Sequence, residues 1–253
     1  MKVLALIQAR MGSTRLKGKV LKKIMGKSMI EILLSRMNKA DLIDKIVVAT
    51  SVLTENQELV EQVEKLGYEV FRGSEEDVLD RFYHAANYYE ADYIIRITAD
   101  CPLVDPELIN SVIRYTIDNQ VDYGTNTLLE EFPDGQDIEI FTFDSLCRAW
   151  QNAVLPSERE HVTPYIRKNS DFFGKTKFKA INFRPSKNYG HVRMTVDETN
   201  DFEAIDRLVN IFGSDKPWNV YADYIINNIS EFNNQDIKRN EGYLKSLKND
   251  KNG

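Results

Sequence analysis

The chain has 253 residues, of which 42% are hydrophobic and 28% charged, with a formal net charge of −6 and a pI near 5.3. That length suits a single domain over 1–253 with a full core, and the acidic balance argues against the broad positive field that non-specific nucleic-acid binding needs. Cys101 and Cys147 make neither a disulfide framework nor a zinc-type spacing. No apolar run approaches the roughly 20 residues that span a bilayer. The N-terminus enters a strand at once, which leaves no room for a signal peptide, so a cytoplasmic protein without membrane or nucleic-acid partners is expected.

Val3-Leu4-Ala5-Leu6-Ile7 is the apolar run of a buried central strand. A loop follows with Gly12 and Gly18, the hydroxyls of Ser13 and Thr14, and the cations Arg10, Arg15, Lys17 and Lys19. A helical pattern runs from Ser28 to Lys39. Lys45–Thr50 reads as a second strand, Asn56–Leu66 as a helix stopped by Gly67, and Tyr68–Phe71 as a short strand. Asp77–Tyr89 is an amphipathic helix, Tyr93–Ile97 a strand, and Pro106–Asn119 a helix with proline in its first turn. This alternation predicts an α/β sandwich around a mostly parallel sheet. Beyond Val121 the pattern is irregular. Glu139–Phe143 and His191–Val196 read as strands, and Asp144–Asn152, Glu160–Lys168 and Asn200–Phe212 as helices. A polar tail begins near Asn233, frayed over Asn249–Gly253.

Strand, basic glycine-containing loop and helix, in that order, aim backbone N–H groups and cations at one place where a polyphosphate can sit. The same composition describes a solvated basic loop, and the spacing matches neither GxxxxGK[ST] nor GxGxxG. Asp100, in Thr98-Ala99-Asp100-Cys101-Pro102, follows a strand directly. There it can face the ligand crevice and hold a divalent metal, or simply cap a turn before Pro102. Asp197 also ends an expected strand, while helix capping accounts for Thr199 and Asp201. Ser74 with Asp77, and Ser157 with Glu160, have the spacing of capping boxes, and Pro133-Asp134-Gly135 that of a turn. His84 and His191 read as structural and Cys101 as packing. No Ser–His–Asp or Cys–His arrangement is legible.

Residues 8–21, QARMGSTRLKGKVL, resemble the nucleotide-binding signature of the sugar-acid cytidylyltransferases, most closely the SpsF-type spore-coat polysaccharide proteins, where it reads QARMGSTRLPGKVL. Gln8 stands where the octulosonate enzymes have proline, and Lys17 where proline is common. RITADCPLVDP at 96–106 is similar to a GDxPL-type metal motif, and the segment around Asp197 to a VDTPEDL-like one. PDGQDIE at 133–139 and LPSEREHVTPYI at 155–166 are similar to hallmarks of the SpsF branch. The resemblance covers the chain to about Leu208. It implies a Rossmann-like, glycosyltransferase-A-type α/β fold, usually a homodimer, in which CTP and a sugar acid give a CMP-sugar and pyrophosphate for surface polysaccharide or glycoconjugate biosynthesis. It assigns Ala9, Arg10, Gly12, Ser13, Arg15 and Lys19 to the nucleotide, with Arg72, Ser74 and Arg81 toward cytosine and ribose. Asp100 and Asp197 would hold Mg²⁺, and Arg10, Lys19 and Asp100 would be catalytic. Asn126, Asp134, Gln136, Glu139, Arg159 and His161 fall where the branches differ, in a subregion of roughly 121–195, which points them at the acceptor sugar. Two rivals remain open: a sugar-1-phosphate nucleotidyltransferase, and a glycosyltransferase using a finished nucleotide sugar, although Asp100-Cys101-Pro102 lacks the DxD motif usual in the latter.

Overall fold

A computed structural model describes residues 1–250. The strands are β1 (Val3–Gln8), a small hairpin β2 (Lys23–Ile24) and β3 (Lys27–Ser28), β4 (Lys45–Ser51), β5 (Glu69–Gly73), β6 (Tyr93–Thr98), β7 (Tyr123–Thr125), β8 (Glu139–Thr142) and β9 (Ala180–Asn182). The helices are α1 (Met29–Met37), α2 (Gln57–Lys65), α3 (Val78–Tyr88), α4 (Pro106–Asp118), α5 (Phe143–Asn152), α6 (Pro156–His161), α7 (Pro164–Lys168), α8 (Thr199–Phe212), α9 (Trp218–Asn227) and α10 (Glu241–Asn249). Seven strands form one sheet in the order β5-β4-β1-β6-β8-β7-β9. Only β8 runs antiparallel to its neighbours, so the α/β architecture with a mostly parallel sheet is as the sequence predicts.

β1 lies inside the sheet because it can be covered on both faces. Val3, Ala5 and Ile7 point into one core, beneath α1, α2 and α4. Leu4 and Leu6 point into the other, beneath α3 and α5. Alternating side chains thus serve two apolar layers, and burial of each large one contributes about 1.5–3 kcal/mol. A third cluster joins the hairpin, Val192–Val196, α8 and α9.

Four expectations of the sequence reading change. His191–Val196 is no strand. It makes a single bridge, Asp134 to Arg193, because its backbone is tied to the 134 turn and to Asp100 rather than to a sheet edge. The helix expected over Glu160–Lys168 is two short ones, parted where Val162 takes φ 70° and Pro164 starts the second. The expected Ser157–Glu160 box is absent. Glu158 accepts from the backbone N–H groups of Val154 and Leu155, and the Ser157 hydroxyl donates to Asp250. The polar tail contains α10, although only Ser246 of that helix is buried. Short strands β7 and β9 and helix α9 carry too little periodic signal to be foreseen. Of the end expected to fray, Asn249 closes α10, while residues 251–253 lie outside the described residues. Among the described residues no helix is long and apolar enough to cross a membrane.

Candidate active site

A cleft of about 1120 Å³ opens at the carboxyl ends of β1 and β6, where a parallel sheet exposes its loops. One wall is the loop after β1. Its shape is held by Met11, whose carbonyl accepts from the N–H groups of Ser13 and Gly18 and whose N–H donates to Asn56 Oδ1 at 2.8 Å. Gly18 takes φ 63°, the left-handed conformation that lets the chain turn into the short helical turn Lys19–Leu21. Lys19 is thereby aimed inward. Its ammonium donates to Asp197 Oδ1 at 3.0 Å, to the Val196 carbonyl at 2.7 Å and, more weakly, to Asp100 Oδ2 at 3.4 Å.

The two aspartates meet because their backbones do. Asp100 follows β6 by two residues, and Ala99 N–H donates to the Gln8 carbonyl, which sets that turn beside β1. The Asp100 carbonyl accepts from Val196 N–H at 2.8 Å and from Thr195 Oγ1 at 3.3 Å. Two contacts to one nitrogen, 3.4 and 3.0 Å, bound the carboxylate separation by their sum, within the roughly 8 Å over which two carboxylates can share an ion. Burial acts to lower the Lys19 pKa, but Asp100 and Asp197 outweigh it and leave it raised. Burial acts to raise the Asp100 pKa, but Lys19, Thr98 and Cys101 outweigh it and leave it lowered. Lys19 is therefore an ammonium, and Asp100 a carboxylate, at neutral pH.

Asp197 also receives Arg15 at 3.1 Å and Arg193 at 3.4 Å. Arg193 is buried and joins Asp134 at 2.7 Å to Asp201 at 2.8 Å. Asp201 in turn caps α8, accepting from the N–H groups of Asp197 and Glu198, as its capping role predicts. Arg239 pairs with Asp137 and donates to the Phe132 carbonyl. The Asp134 pKa is pushed up to about 7 by burial and then by Asp137 and Asp100, against the pull of Arg239 and Arg193. Burial likewise raises Asp137. Arg193, Arg239 and Asp137 are chemistry the sequence reading missed, for their partners stand 59 and 102 residues away.

The other expected residues divide. Ala9, Arg10, Gly12, Ser13, Arg15 and Arg81 line the cleft, with Arg10 paired to Glu75 at 2.7 Å. Arg81 is buried, donates to the Ser74 carbonyl at 2.5 Å, and burial lowers its pKa to about 10, still protonated at neutral pH. Arg72 instead holds the carbonyls of Ser51, Val52 and Leu53, and Ser74 accepts from Asp77 N–H, so neither faces the cleft. Asn126 and Gln136 are buried behind the wall. Asn126 bonds the backbone of Gln136 and Ile138, and Gln136 bonds that of Leu103 and Asp105. Asp134, Glu139, Arg159 and His161 do line it. Glu139 is fully engaged, by Tyr123 at 2.6 Å, Thr163 at 2.6 Å and Arg96 at 2.6 Å. Arg159 grips Asp77 and the Trp150 carbonyl, joining α6 to α3. His161 contacts Ser246 Oγ at 3.1 Å, and burial, followed by Arg96, lowers its pKa to about 4. It is a neutral hydrogen-bonding group, not a cation.

As a metal site, Asp100 and Asp197 offer two hard carboxylate donors on a cleft, with a cation already drawn between them. Among the described residues no group of three or more donors could hold an ion. Mg²⁺ keeps several waters or phosphate oxygens in its shell and takes one or two carboxylates from the protein, so Asp100 and Asp197 would suit that ion.

Comparison with known proteins identifies the family. A family model described as cytidylyltransferase matches residues 4–241. An uncharacterised protein of Methanocaldococcus jannaschii is 45% identical over 208 residues, covering 80% of this chain and 81% of the relative. The spore coat polysaccharide biosynthesis protein SpsF of Bacillus subtilis is 36% identical over 211 residues, covering 81% and 85%. The solved structure of a cytidylyltransferase from Leptospira borgpetersenii superposes with a TM-score of 0.87 at 33% identity, over 94% of this chain and 100% of that one. A CMP:2-keto-3-deoxy-manno-octonic acid synthetase complexed with CTP shares the fold, with a TM-score of 0.63 at 18% identity over 83% and 99%. With a basic loop, two converging aspartates and a family match across nearly the whole chain, this protein belongs to the cytidylyltransferase family and is a CTP-dependent nucleotidyltransferase.

Proposed function

We propose that the protein activates a sugar acid with CTP, giving a CMP-sugar and pyrophosphate for surface polysaccharide or glycoconjugate assembly. The observation that carries this reading is Lys19 set between Asp100 and Asp197 beside the basic loop, in the lining of a cleft of about 1120 Å³. Arg10, Arg15 and Lys19 bind the triphosphate by charge, and the loop N–H groups approach it closely. A sugar hydroxyl attacks the α-phosphorus and gives up its proton to water, the bond from that phosphorus to the β-phosphate oxygen breaks, and pyrophosphate leaves. Such transfer relies on positioning and charge neutralisation rather than on covalent help from the protein. Asp100 and Asp197 would hold Mg²⁺, which when bound would supply charge neutralisation on the phosphate side and a lower hydroxyl pKa on the sugar side. The homodimer implied by the resemblance belongs to the same reading, as does the cytoplasmic location expected from the sequence.

The test is pyrophosphate release from CTP and Mg²⁺ with a panel of octulosonic and nonulosonic acids, run beside ATP, GTP and UTP. One acid should support release with CTP preferred. Release with no acid on the panel, or equal release with all four triphosphates, overturns the reading.

A further inference from the structure

A second cavity, of about 490 Å³, opens between the first turns of α4 and α9 and shares no lining residue with the cleft. Its size and aromatic walls are those of a small-molecule site. Phe132 is buried at its floor, with Phe183 stacked on that ring at 6.1 Å and Trp218 set against it at 5.3 Å and 64°. Arg36 reaches this apolar setting from α1 and is only 2% exposed. Its Nε donates to the Val104 carbonyl at 2.8 Å and its NH1 to the Ser214 carbonyl, while NH2 has no hydrogen-bond partner. The Asp105 carboxylate stays 3.9 Å from NH2 because its oxygens are engaged elsewhere. Oδ1 accepts from the N–H groups of Glu107 and Leu108, and Oδ2 from that of Trp218 at 2.8 Å. Asp215 is drawn away to Lys39 at 2.7 Å. Burial lowers the Arg36 pKa, and Tyr221, Asp105 and Asp215 do not make up the difference.

A buried guanidinium left with an unmade hydrogen bond and too little opposing charge is costly, and an anion at that nitrogen offsets both costs. Lys216 stands exposed at the rim and has no carboxylate partner among the described residues. Of the other rim charges, Arg184 is paired with Glu131 at 2.6 Å and Glu107 is exposed. One buried donor and one rim cation suit a single negative charge rather than a polyphosphate, and the three rings suit a flat aromatic group. We propose that this cavity binds a small aryl carboxylate, its ring against Phe132, Phe183 and Trp218 and its charge toward Arg36 and Lys216.

The chain has two tryptophans, and Trp150 lies elsewhere, stacked on Tyr83, so in a Trp150→Phe background Trp218 alone reports on the cavity. Titration with phenylacetate should give a saturable change in Trp218 emission. Phenylacetamide, of the same shape without the charge, should bind roughly tenfold more weakly, the loss of one charge-assisted hydrogen bond. Should Trp150→Phe fail to fold, broadening of the probes' proton NMR signals by the wild type gives the same comparison. Arg36→Met should erase the difference between acid and amide. Because Arg36 also holds the Val104 and Ser214 carbonyls, Lys216→Ala keeps the test open if that chain does not fold, and it should narrow the difference. Ser111→Phe, which fills the cavity from α4, should abolish binding of both probes. The absence of saturable binding, equal binding of acid and amide, or binding that survives Ser111→Phe would each overturn the assignment.

Discussion

Lys19 Nζ lies 3.0 Å from Asp197 Oδ1 although 178 residues separate them in the chain. The ammonium holds apart, and in place, two carboxylates that would otherwise repel. Replacing it therefore has consequences for the free protein as well as for the nucleotide complex.

Lys19→Met should lower turnover about 10²–10³-fold, as expected for a lost charge-stabilising group. It should also destabilise the free protein by roughly 1–3 kcal/mol, because Asp100 and Asp197 are left facing each other. Melting curves with and without Mg²⁺ check this. The divalent ion should recover most of the lost stability in the variant and add less to the wild type.

Asp100→Asn and Asp197→Asn keep side-chain size and remove a charged donor. Each should reduce kcat about 10²–10³-fold, and the double variant should be barely worse than either alone, since both act at one point. Steady-state pyrophosphate release measures all three. Additive losses would mean that the two carboxylates work separately.

Gly135 takes φ 105°, and a Cβ there would lie 2.6 Å from the backbone of Met194 and Thr195. Gly135→Ala should therefore cost at least about 2 kcal/mol and disturb the turn that carries Asp134 and Asp137. Denaturant unfolding gives the first and activity the second. A variant of wild-type stability would contradict the close approach.

His161 has its pKa lowered to about 4 by burial and by Arg96. The unfolded chain therefore binds the proton more readily between about 6.5 and 4, and stability falls as pH drops through that window. At about 1.4 kcal/mol per pKa unit the loss is at most roughly 3 kcal/mol. In His161→Gln the melting temperature should fall less steeply from pH 6.5 to 4. Parallel pH profiles would sink the argument.

What was legible in the sequence was local. The glycine-containing loop, Asp100 behind its strand and the alternation of β1 through α4 depend on neighbours within a few residues. Asp197 was legible as a strand-end carboxylate, yet the strand does not form; a backbone bond from Val196 to Asp100 positions it instead. Arg72 and Asn126 are polar residues in promising segments, and the folded chain uses their hydrogen bonds on its own backbone. Nothing in local spacing separates a side chain that reads a ligand from one that holds a loop. Arg193 and Arg239 were silent for the complementary reason, since an arginine announces its partner only once the chain has folded.

Helix α10 and the Asp250 that follows it meet the rest of the molecule through polar contacts, Glu241 to Arg15, Ser246 to Glu160 and His161, and Asp250 to Ser157, and through Tyr243, edge-on to the His161 ring at 5.1 Å. A segment attached this way can change sequence without repacking an apolar core, while it still forms one side of the cleft. On the proposed reading, exchange of this segment alters one side of the cleft while Lys19, Asp100 and Asp197 keep their places. Grafting that segment between relatives is a direct route to altered specificity.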